Sequence, residues 1–141
     1  MAKKEEAFQV AALCYRRRKK DIEILLVKSL GRGNWILPKG WPMDDRSLAK
    51  AAATEAFEEA GAKGKIKKKP VGSYRYTKSR KNGEILQCQA LAYEMEVSDI
   101  KKKFPESDIR TARWFTKKEA ANNVAFKQLR KLIRDFQPPK N

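Results

Sequence analysis

The apolar positions of this chain fall into short runs whose periodicity switches between that of strands and that of helices. Phe8 to Tyr15 and Ile22 to Val27 are rich in strand formers and predict two paired strands, with Arg16-Arg17-Arg18-Lys19-Lys20 as the basic hairpin loop between them. Trp35-Ile36-Leu37 is a third short apolar run; Pro38 closes it, and Lys39-Gly40 reads as a turn. From Ser47 to Ala60 the pattern changes to Ala, Leu, Glu and Lys with neither Gly nor Pro, which predicts a helix capped by Gly61. Strand-like segments return near Val71 to Thr77, Ile85 to Met95 and Ile109 to Phe115. Lys117 to Asn122 and Ala125 to Phe136 predict closing helices, the last ended by Gln137-Pro138-Pro139. The order β-β-β-α-β-β-β-α, with one helix inserted in a mixed sheet, predicts an α/β or α+β fold.

The length of 141 residues fits one domain, with its core expected between about residues 8 and 136. No apolar run approaches the ~20 residues that cross a bilayer, and Met1-Ala2-Lys3-Lys4-Glu5-Glu6 lacks the apolar stretch of a signal peptide, so no membrane role and a cytoplasmic location are expected. Cys14 and Cys88 stand far apart in apolar segments, a spacing that fits buried thiols rather than a zinc or redox pair. Histidine is absent, which excludes Ser-His-Asp and Cys-His nucleophiles and His-ligated zinc. Catalysis would have to rest on carboxylates, Lys, Tyr or metal ions. The net charge of +16 attracts polyanions, and by itself does not choose among nucleic acid, anionic membrane and a small polyphosphate.

The predicted central helix has two faces. Ala49, Ala53, Ala56 and Ala60 recur at helical period and form a stripe small enough to lie close against a sheet. Glu55, Glu58 and Glu59 share another face, where like charges at this spacing repel by a few tenths of a kcal/mol per pair. Two explanations stand at this point: a hard divalent cation such as magnesium neutralises the cluster, or the glutamates pair with nearby Lys and Arg.

Residues 40 to 62 run G-W-P-M-D-D-R-S-L-A-K-A-A-A-T-E-A-F-E-E-A-G-A. This segment resembles the Nudix box, G-x5-E-x7-R-E-U-x-E-E-x-G-U, with Gly40, Glu55, Glu58, Glu59 and Gly61 in register. Ala11 to Tyr15, Ile24 to Val27, Trp35 to Pro38, Arg113-Trp114-Phe115 and Glu119-Ala120 extend the likeness over residues 8 to 122. It looks closest to the diphosphoinositol polyphosphate phosphohydrolase branch, while the Lys of Pro38-Lys39-Gly40 is shared with diadenosine polyphosphate hydrolases. The resemblance implies a Nudix fold, a mixed sheet between helices, and a hydrolase that cleaves a phosphoanhydride in a polyphosphorylated small molecule.

Carried over by position, Glu55 and Glu59 would bind Mg2+ (or Mn2+), helped by a carbonyl near Lys39-Gly40, and Glu58 would bind metal or activate water. The same likeness offers Arg17, Arg18, Arg32, Lys39, Arg80, Lys81 and Arg110 as phosphate-binding cations. Trp41 reads either as packing material or as a surface for stacking a nucleobase. A further acid from outside the helix is expected among Glu84, Glu94, Glu96, Glu106 and Asp108. Two positions depart from the box: Arg46 stands where the family has its first Glu, and Thr54 replaces the Arg that helps hold the acidic cluster, so metal or another base must steady it. The alternative is a basic nucleic-acid-binding protein on a Nudix scaffold, or one acting on RNA 5′ ends; its binding would be salt-sensitive and indifferent to Glu58 and Glu59.

Overall fold

The structure, a computed structural model, describes residues 5–80 and 82–140. Its axis is β1, Glu5–Arg18, which is buried on both faces from Val10 to Tyr15, so that this stretch reads as an unbroken apolar run rather than an alternating one. Along β1, Ala7, Ala11, Leu13 and Tyr15 pack to one side and Val10, Ala12 and Cys14 to the other. β2 (Asp21–Lys28) pairs antiparallel with the far end of β1, and β7 (Ile85–Ile100) runs parallel to it from Glu5 to Tyr15. β3 (Trp35–Ile36) and β8 (Ala112–Thr116) pair with β2, while β5 (Ala62–Ile66) and β6 (Gly72–Ser79) pair with β7. With β4 (Lys39–Gly40) added to β1, the described residues form one mixed eight-stranded sheet.

Helices cover both faces. α1, Leu48–Ala60, lies on the Val10–Cys14 side and buries Ala49, Ala52, Ala56 and Ala60, side chains short enough to bring the helix axis close to the strands. α2 (Lys117–Asn123) and α3 (Lys127–Asp135) cover the opposite face with Ala120, Ala121, Leu129 and Ile133. α1 begins at Ser47, whose side chain accepts the Lys50 N–H. It stops at Gly61, where φ of 69° turns the chain left-handed and the Gly61 N–H closes onto the Ala56 and Phe57 carbonyls.

Several expected boundaries move. The basic hairpin is strand up to Arg18, leaving only Lys19-Lys20 as turn, because Arg16 and Arg17 alternate across the ladder with β2. Lys39-Gly40 is a short strand against Val10-Ala11 rather than a free turn. β5 escaped the sequence reading, since Lys63, Gly64 and Lys65 carry no apolar alternation; it is an edge strand, where lysines discourage further pairing. The strand expected from Ile109 begins at Ala112, because turns occupy the segment before it. On α1 the buried stripe includes Ala52 in place of Ala53. Cys14 and Cys88 are buried free thiols, as expected.

At Gly61 a side chain would collide with the Lys101 carbonyl and the Phe104 ring, besides meeting a left-handed backbone. Gly61→Ala is expected to destabilise the protein by roughly 1–3 kcal/mol. Urea denaturation should then show a lower midpoint at an unchanged slope.

Candidate active site

The C-terminal half of α1 faces the short strand β4, and this approach builds the site. Val10 pairs with Gly40 and Ala11 with Lys39, so β1 holds β4 at the edge of the α1 layer. Gly40 presents bare backbone to the helix: a Cβ there would stand inside the Glu55 carboxylate. One turn further on, Glu59 is 2% exposed, and its Oε2 accepts the Lys39 backbone N–H at 3.3 Å. The Glu55 and Glu59 carboxyls stand close enough that each acts on the other's hold on a proton.

Two carboxyl groups this close can pair only through a shared proton or a cation. Burial, with Glu55 and Glu106 close by, pushes Glu59 up to about 8 in spite of the opposing pull of Arg110. Burial raises Glu55 as well, and the Glu58 and Glu106 charges add to it. Glu58 is half-exposed on the same face, and its charge also acts on Arg46. Arg46 donates to Thr54 Oγ1 at 2.8 Å, so the two residues that depart from the expected motif touch each other on the outer side of α1.

The base that steadies the acids comes from elsewhere. The segment before β8 folds back so that the Glu106 N–H donates to the Glu58 carbonyl at 2.9 Å. Arg110, with a side chain 10% exposed, places Nη2 2.7 Å from Glu106 Oε1 and 3.5 Å from Glu59 Oε1, and its Nη1 donates to the Lys28 carbonyl at 3.0 Å. Glu106 is thus the acid outside the helix that the structure brings to the cluster, and Glu84 and Glu96 are instead paired with Arg80 and Arg17.

Beside Glu59 opens a cleft of about 380 Å³. Its wall includes Arg32, Lys39, Lys78, Arg110, Tyr76 and Phe126. Lys39 is largely buried; that burial, with Lys78 and Arg110 nearby, lowers its pKa, against the pull of Cys88 and Glu59. Of the expected cations, Arg32, Lys39 and Arg110 therefore reach the cleft, although Arg110 is already committed to the acids. Arg17 and Arg18 do not: Arg17 bonds Glu96 and the Pro139 carbonyl, and Arg18 pairs with Glu23, at the far end of β1. Arg80 pairs with Glu84 beyond the cleft wall, and Lys81 lies outside the described residues. Trp41 is 56% exposed and does not line the cleft.

Lys78 is the cleft cation that the sequence reading missed. The signal was parity: Tyr74 and Tyr76 point inward from β6, and Lys78 continues their face where the strand emerges.

Among the described residues no three Cys, Asp or Glu side chains yet converge as a closed metal cage. The donor set nevertheless suits a hard divalent cation: Glu55 and Glu59 offer only oxygens, Glu59 is withdrawn from water and Glu55 partly so, and they need a positive partner that Arg110 supplies only in part.

Comparison with known proteins agrees with this geometry. The NUDIX domain family model matches residues 7–136. The chain is 32% identical over 118 residues to the mitochondrial Nudix hydrolase 12 of Arabidopsis thaliana, covering 82% of this chain and 58% of that protein. It is 29% identical to diphosphoinositol polyphosphate phosphohydrolase 3-beta of Bos taurus, covering 79% of this chain and 65% of the relative. The chain thus spans less than two thirds of the length of these curated relatives. Among solved structures, the Ap4A hydrolase of C. elegans shares the fold, with a TM-score of 0.64 and 18% identity over 91% of this chain and 93% of that one.

The raised Glu59 carboxyl has a consequence for stability. The native state keeps a proton that the unfolded chain releases near pH 4.5, so the metal-free protein should lose stability as pH rises from there through about 8. Thermal unfolding in a chelator should show Tm falling across this range, and Glu59→Gln should flatten the profile.

Proposed function

The chain belongs to the Nudix family, and from that premise we propose that it hydrolyses a phosphoanhydride bond in a small polyphosphorylated molecule with the help of a divalent cation, Mg2+ or Mn2+. The observation that carries the proposal is the adjacent carboxylates of buried Glu59 and half-buried Glu55, at the edge of a cleft walled by Arg32, Lys39 and Lys78. Acids for a cation and cations for phosphates thereby face the same space.

Glu55 and Glu59 would hold the metal, with Glu106 and Glu58 beside them. When bound, the cation would polarise the phosphoryl oxygens and acidify the attacking water. Glu58, which is open to solvent on the same face, is the carboxylate assigned to take the water's proton. Arg110 keeps the acids in register by bridging Glu106 and Glu59. Lys39, Lys78 and Arg32 would bind the phosphate chain, and the stacked rings of Tyr76 and Phe126 bound the cleft behind it. A volume of about 380 Å³ takes a phosphate chain and one ring, leaving any larger remainder of the substrate in solvent.

Diphosphoinositol polyphosphates and dinucleoside polyphosphates are the substrate classes that the relatives' names bring to the test. The alternative of a basic nucleic-acid-binding protein gives the carboxylate pair no role, so the hydrolase reading is the better supported.

A panel of both substrate classes, assayed with Mg2+ and separately in chelator, should show anhydride cleavage only with the cation, read as inorganic phosphate from a diphosphoinositol polyphosphate and as mononucleotides from a dinucleoside polyphosphate. Glu59→Gln should lower kcat by at least about a hundredfold with the circular dichroism spectrum intact. A folded Glu59→Gln protein that turns over at the normal rate would rule the assignment out.

A further inference from the structure

Among the described residues two polar or charged side chains are buried, Glu59 and Gln9. Glu59 belongs to the acidic cluster, but nothing so far explains Gln9. It interrupts the apolar face of β1 between Ala7 and Ala11, where a hydrophobic residue would pack against Tyr76 and α3 at no polar cost. A buried amide is tolerated where its partners are in place.

The partners of Gln9 are specific. Its Oε1 accepts from Lys39 Nζ at 3.2 Å and also from the Tyr76 hydroxyl. Because an ammonium and a phenol hydroxyl both donate here, the oxygen end of the amide must face them. Lys39 Nζ also lies 4.9 Å from the centre of the Tyr76 ring, which is in turn stacked on Phe126 at 4.4 Å and 19°. Strand register produces this meeting: Lys39 lies opposite Ala11, two residues from Gln9 on the same face of β1.

Without these contacts the lysine would have reason to leave. Its ammonium is drawn out of water on a wall that also carries Lys78 and Arg110, and a four-carbon side chain can swing away from like charge. Gln9 and Tyr76 oppose that swing without neutralising the charge. Among the described residues no carboxylate forms an ion pair with this ammonium, and a cation so held is suited to receive an anion.

We propose that Gln9 is a positioning residue that holds the Lys39 ammonium at the cleft wall as a pre-set binding point for a phosphate group of the substrate. The inference rests on the hydrolase reading for its physiological meaning, and on the Gln9–Lys39–Tyr76 geometry for its substance.

The test is a double-mutant cycle read by isothermal titration with inorganic tripolyphosphate in chelator, where no turnover intervenes. Lys39→Met should raise the tripolyphosphate Kd by about tenfold and Gln9→Leu by about fivefold, while Gln9→Leu added to Lys39→Met should cost nothing more. Gln9→Glu, which holds the ammonium but neutralises it with a carboxylate, should bind tripolyphosphate no better than Gln9→Leu. If Gln9→Leu proves too unstable to purify, Gln9→Met, which keeps the side chain's length without the acceptor oxygen, closes the same cycle and should raise the Kd by about fivefold. In the hydrolase assay Gln9→Leu should raise KM and leave kcat nearly unchanged. Additive losses in the cycle, a Gln9→Glu protein that binds as tightly as the unaltered one, or a fall in kcat at constant KM would each overturn the proposal. An unaltered protein that shows the coupling but hydrolyses no substrate would refute the hydrolase reading and leave this inference standing.

Discussion

Two carboxylates brought close together and partly withdrawn from water cannot both stay charged unless a proton or a cation joins them. That constraint, set by Glu55 and Glu59 against the Lys39-Gly40 strand, organises the neighbourhood. Gly40 lacks a side chain where the Glu55 carboxylate rests, and the alanines of α1 let the helix approach closely enough for Glu59 to reach the Lys39 N–H. Gly61 ends the helix abruptly under the Lys101 carbonyl, and the following segments return Glu106 and Arg110 to the same spot. A sheet buried on both sides supplies the rigid support on which this costly cluster can be held.

Arg110 resolves the puzzle left by Thr54. A motif that lacks its expected Arg on the helix still has a guanidinium among its acids, but one that arrives from the segment before β8, some fifty residues later in the sequence. The positive wall of the cleft is correspondingly built from Lys39, Lys78 and Arg32, on strands and a loop distant in sequence. The large net charge is therefore partly local in meaning: most basic residues lie on solvated surfaces or the β5 edge, and a few converge where anions would be read.

The sequence made the mixed sheet, the central helix and its glycine stop legible because each rests on local signals: apolar runs, helical period, a C-cap. The three glutamates were legible for the same reason. β5 was not, since an edge strand of lysines buries almost nothing, and neither was the shift of the last strand to Ala112, which depends on how the preceding turns pack. Cations were the weakest reading. Arg17 and Arg18 were placed by analogy of loops, yet the first hairpin is strand to its tip and carries them to the far end of β1. Lys78 and Gln9 could have been found by following strand parity, which sets one beyond Tyr76 and the other inside an apolar face.

The central claim is that the acidic face of α1, wedged against Gly40, is a cation site. Its most direct test is magnesium binding without any substrate, by isothermal titration at pH 6 and at pH 8. The account predicts tighter binding at the higher pH, where the ion no longer competes with the shared proton, and a loss of at least about tenfold in affinity for Glu59→Gln. Magnesium affinity indifferent both to pH and to Glu59→Gln would contradict it.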